Sequence, residues 1–107
     1  MPSATHVIVC YCTCPDADSA QRIADALVSE SLAACVSRLP GVQSTYRWEG
    51  KLVTEQEVLL MIKTTGERFD AMRTRLLTLH PYDVPELIAM PVENGHQAYL
   101  DWVRNSV

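Results

Sequence analysis

Residues 33–65 read AACVSRLPGVQSTYRWEGKLVTEQEVLLMIKTT, and this stretch decides the fold. β-Branched and aromatic residues run through both halves, the composition of strands. Glu49-Gly50 lies between the halves, and glycine supplies the unusual backbone angle that a tight turn needs. Pro40-Gly41 marks a bend or bulge in the first strand. The stretch therefore reads as two long strands closed into a hairpin.

Working outward, THVIVCYC (5–12) is a short run with both alternating sets largely apolar. This is the pattern of a central strand covered on both faces. After it, Thr13 or Asp16 is placed to cap a helix over 19–31, where Ala20, Ile23, Ala24, Leu27 and Ser31 recur at helical spacing. Phe69, Met72, Leu76 and Leu79 give a second helix within 66–80. ELIAMPV (86–92) is a fourth strand and HQAYLDWVRN (96–105) a closing helix. The order β-α-β-β-α-β plus a terminal helix is the α+β, ferredoxin-like sandwich, an antiparallel sheet with two helices on one face. A single domain is expected to span residues 1–107.

One length does not fit inside one subunit. A 14-residue helix runs about 21 Å, whereas a strand of that length runs about 46 Å, so the 42–64 hairpin overhangs the helices. It carries Val42, Tyr46, Trp48, Val58, Leu60 and Ile62, together with unpaired edges that invite another strand. Closed self-association answers both demands, with two or three subunits left open by the residues themselves.

Composition narrows the function. Nine Lys and Arg stand against thirteen Asp and Glu, a net charge of −4 with no basic block, so nucleic acid is not an expected partner. No apolar run approaches the ~20 residues that span a bilayer, and the N-terminus lacks the flanks of a secretory signal. A cytoplasmic protein with four free thiols is expected. GxGxxG, GK[ST], HExxH and CxxC patterns are absent, and no serine has an identifiable base, so no enzymatic activity is expected. Pro2 could act as the terminal base of a small tautomerase, but it precedes the first strand and lies outside the core.

Cys10, Cys12 and Cys14 suggest a soft-metal cluster. Residues two apart on a strand are about 6.6 Å apart, however, while two sulfurs on one zinc are at most about 4.6 Å apart. Cys10 and Cys35 are expected in the core, and Cys12 and Cys14 are open to either packing or exposure. His80 follows the last helical turn and precedes Pro81, as a capping group or as a ligand and proton carrier. Glu86, opening the fourth strand after Pro85, is open between hydrogen-bond partner and ligand. Tyr82 suits an interface and Asp83 a turn. Trp48 suits tip packing or a stacking platform. Arg47, Lys51 and Lys63 suit a solvated edge or an anion pocket between subunits.

LAACVSRLPGVQSTYRWEGK (32–51), LLMIKTT (59–65) and HPYDVPELIAMP (80–91), with CTCPD near the start and AYLDW near the end, resemble the CutA family of divalent-cation tolerance proteins in shared order and spacing. The resemblance implies a compact cytoplasmic homotrimer linked to tolerance of copper or other divalent cations. It carries a copper-ligand role onto Cys12, His80 and Glu86. Cys10 and Cys14 stand outside that pattern, and Asp83 stands where relatives often carry glutamate. The function expected is reversible, non-catalytic coordination of copper, zinc or another divalent cation, with no metal needed for folding. The alternative is a small-molecule sensor or interaction scaffold with intersubunit pockets and an unidentified protein or small-molecule partner.

Overall fold

The computed structural model describes residues 5–107. Pro2, considered above as a terminal base, lies outside the described residues. The elements run β1 (Val7–Cys14), α1 (Ala17–Ser29), β2 (Cys35–Trp48), β3 (Lys51–Thr65), α2 (Phe69–Leu79), β4 (Ile88–Pro91) and α3 (Gln97–Asn105). The sheet order is β2-β3-β1-β4 with every pairing antiparallel. This is the ferredoxin-like α+β arrangement expected, with β1 in the interior of the sheet.

α1 begins at Ala17, two residues before the expected start at Ser19. Asp16, in extended backbone, accepts the Ser19 amide at 2.8 Å and satisfies one of the orphan donors of the first turn. Ser31, counted with the helix by spacing, lies beyond it with φ 58°. There Leu32 and Ala33 turn their amides back onto the Leu27 carbonyl. α2 is preceded by a 3₁₀ turn over Gly66–Arg68. The fourth strand shrinks to four residues, Ile88–Pro91, and ends on a proline, which donates no ladder hydrogen bond.

One sheet face packs beneath α1 and α2. Ile8, Cys10, Cys12 and Cys14 alternate onto it, opposite Thr64, Ile62, Leu60 and Val58 of β3. Ile23 and Leu27 from α1 and Met72 and Leu76 from α2 close the layer, all four fully buried. Among the described residues, the other face is covered only at one end, where Val103 of α3 meets Val7 and Ala34. Tyr11, Leu59 and Met61 are half-buried there, and Ile88 and Met90 are exposed. The expectation that β1 is covered on both faces is thus met by a single chain on the helix face and at one end of the other.

The hairpin is as long as its sequence requires. β1 pairs with β3 over 58–65, so, among the described residues, 51–57 pair with β2 alone, an overhang of about 24 Å at strand rise. The turn places Glu49 and Gly50 at φ 49° and 78°, the primed geometry that matches strand twist. At Pro40-Gly41 the register shifts, Leu39 facing Leu59 and Val42 facing Glu57. β2 thus holds one extra residue, and Leu39 and Val42 share a face although their numbers differ in parity. Cys35, expected in the core, is instead half-buried, because that register turns it to the open face beside Lys63.

Candidate functional site

Strand periodicity puts Cys12 and Cys14 on the helix face, and both are fully buried. His80 arrives from the opposite direction. α2 stops at Leu79 because Pro81 cannot continue its ladder; the His80 amide still bonds the Leu76 carbonyl at 2.9 Å, but its own backbone is extended at ψ 134°. The ring turns toward the end of β1, and its Nε2 lies 2.8 Å from the Thr13 carbonyl oxygen.

These elements bring the two sulfurs and a ring nitrogen of His80 to within 4.8 Å of one another. The strand-spacing objection to paired cysteines on one ion applies to backbone positions, and the side chains lean together across that gap. Cys14 is therefore part of the cluster although the resemblance left it out. Its shared parity with Cys12 was the signal available in the sequence. Cys10, equally buried, is a core thiol, and burial pushes it up to about 12.

The two clustered thiols titrate as a pair. Cys14 is lowered, chiefly because the Cys12 thiol hydrogen-bonds to it, against the opposing effect of burial. Cys12 is raised by the same hydrogen bond, then by burial and by the negative charges of Cys14, Glu86 and Glu57. One proton thus leaves more readily than the other, and a bound cation would displace whichever protons remain.

Glu86 is exposed and outside this close group, although its charge reaches Cys12. It lines a cleft of about 950 Å³ between the hairpin overhang and the 81–86 segment. Glu55, Glu57 and Asp83 share that lining with Tyr46, Trp48 and Tyr82. The Tyr82 hydroxyl donates to Glu57 Oε2 at 2.8 Å. Its phenol is pushed above the ordinary value, first by burial and then by that bond. Arg47 turns instead to the Gly50 carbonyl and Lys63 to the Ser37 hydroxyl, so neither completes an anion pocket with this cleft.

Comparison with known proteins converges on one family. Residues 8–106 match the family described as CutA1 divalent ion tolerance protein. The divalent-cation tolerance protein CutA of Thermus thermophilus is 49% identical over 94 residues, 88% of this chain and 91% of that one. A chloroplastic CutA 1 of Oryza sativa is 46% identical over 92% of this chain, which spans 56% of that longer relative. The crystal structure of CutA from Xylella fastidiosa superposes with a TM-score of 0.93 at 50% identity, covering 94% of this chain and 97% of the other. The chain belongs to the CutA1 divalent ion tolerance family.

Proposed function

We propose that this protein is a non-enzymatic cation-binding protein of the cytoplasm, coordinating a soft or borderline ion, copper or zinc, through Cys12, Cys14 and His80. The observation that carries this reading is the buried set of two sulfurs and an imidazole within 4.8 Å. Around a tetrahedral ion such sulfurs stand about 3.8 Å apart, so a small inward movement brings the two thiols to that spacing. Sulfur and imidazole donors fit copper(I) and zinc better than the hard cations calcium or magnesium. Glu86 supplies negative charge on the cleft side. Reduced thiols and the absence of a membrane-crossing helix among the described residues are compatible with the cytoplasm. Titration of the intact protein with zinc beside Cys12→Ala, Cys14→Ser and His80→Ala tests the site. Each substitution is expected to weaken binding at least tenfold, as loss of one ligand does, and unchanged affinity and stoichiometry in all three would remove it.

The functional unit in this reading is a homotrimer. Its support is the uncovered sheet face with Tyr11, Leu59, Met61, Ile88 and Met90, together with the overhanging hairpin. The acid- and aromatic-lined cleft favours a second reading, a small-molecule sensor or scaffold, because it joins apolar walls to convergent carboxylates. A metabolite-binding screen separates the two, and no saturable ligand in that screen would eliminate the sensor.

A further inference from the structure

His80 presents both ring nitrogens to the backbone. Nδ1 receives the Tyr82 amide at 3.1 Å, and Nε2 faces the Thr13 carbonyl at 2.8 Å. A carbonyl cannot donate, so Nε2 carries the proton; an amide N–H cannot accept, so Nδ1 carries the lone pair. These partners assign the Nε2–H tautomer, with the one in-plane lone pair already engaged. Both routes to coordination then collide with Tyr82. Binding through Nδ1 needs the lone pair that the amide occupies. Binding through Nε2 sends the ring proton to Nδ1, where it would face the Tyr82 N–H. The Tyr82 backbone must withdraw before either nitrogen can hold an ion.

Two contacts keep Tyr82 in place. Its ring packs against His80 with centroids 4.9 Å apart, and its hydroxyl is tied to Glu57 at 2.8 Å. Glu57 is a firm anchor, 7% exposed and one residue beyond the last β3 residue paired to β1. It also forms part of the wall of the acidic cleft beside Glu55, Asp83 and Glu86.

We propose that the Glu57–Tyr82 hydrogen bond is a latch that withholds His80 from coordination until the tyrosine hydroxyl lets go of the Glu57 carboxylate. The inference rests on the cation-binding reading above and assigns Glu57 and Tyr82 as positioning residues, not ligands. When the latch opens, the Tyr82 hydroxyl keeps its proton and donates to water. The 81–86 segment moves off the imidazole, and the thiol protons displaced by the ion leave to solvent. The cleft is then the vestibule of the buried site.

The test uses the apo protein with Co²⁺ as the probe, its binding followed by sulfur-to-cobalt charge-transfer absorption in stopped flow. Tyr82→Phe keeps the ring and removes the latch; Glu57→Gln keeps the shape and weakens it. Loss of a hydroxyl–carboxylate hydrogen bond raises the open population roughly tenfold or more. Tyr82→Phe is therefore expected to speed Co²⁺ association and tighten apparent affinity by the same factor, with dissociation unchanged. Glu57→Gln should do so by less. A purely structural role would loosen the bound state and raise dissociation instead. Without metal, Tyr82 amide exchange should accelerate in both variants while ring ¹⁵N shifts report loss of the fixed tautomer. Unaltered association and unaltered amide exchange in both variants would overturn the latch, as would faster dissociation alone. Equal Co²⁺ uptake by the wild type and Cys12→Ala would overturn the metal reading instead, while the amide exchange still decides whether the latch exists.

Discussion

At the residue scale, burial and local partners decide which groups are poised. Asp16 is an exposed carboxylate held below its ordinary value by the Ser19 amide and hydroxyl. Its folded value lies under the unfolded one of 3.8, so the cap stabilises fully above that pH and is lost as pH falls through the folded value. Asp16→Asn retains a capping oxygen without titrating. The expected outcome is a difference in unfolding midpoint between wild type and Asp16→Asn that shrinks on acidification below about pH 4, read by circular dichroism. Asp16 was legible in the sequence because capping is a short-range rule. Cys14 and the doubly engaged His80 were not. Whether two sulfurs converge depends on side-chain lean, and which lone pair is engaged depends on Thr13, 67 residues away along the chain. Glu86 was legible as a carboxylate near the site, but its place in the cleft follows only from the path of the 81–86 segment.

At the element scale, the hairpin shows why its part of the fold could be read from the sequence. A glycine in the turn, a Pro-Gly interruption and long β-branched flanks are local signals, and each appears in the structure as a primed turn, a register shift and two strands of 14 and 15 residues. Gly50 stands at φ +78° with no atom near its missing Cβ. Gly50→Ala is therefore opposed by backbone strain alone, at about 1 kcal/mol or more. Chemical denaturation should show that loss with the fold retained, and an unchanged midpoint would mean that the tip frays without consequence. The boundaries of α1 and β4 were less legible. The first turn of α1 is held by a cap and not by apolar spacing, and β4 ends on a proline that apolar content does not register.

At the scale of the whole molecule, the mismatch between hairpin and helices is what the proposed trimer would resolve. The chain extends 44 Å along its longest axis against 26 and 23 Å along the others, and its uncovered sheet face is apolar at the centre. If copies meet there, a charge at the middle of that face breaks the assembly while sparing the helix-side core. Met61→Glu is the specific case, and sedimentation should shift from trimer toward monomer with circular dichroism retained; a trimer that survives would place the interface elsewhere. The irregularity at Pro40-Gly41 bears on the same chain while it is being made. β2 lies at the sheet edge, and a straight, uninterrupted 14-residue border would offer newly made polypeptides a continuous surface for fibre growth. The extra residue breaks that border into two short, differently twisted lengths. The edge that the proposed trimer would leave to its partners is thereby guarded against disorderly stacking during synthesis.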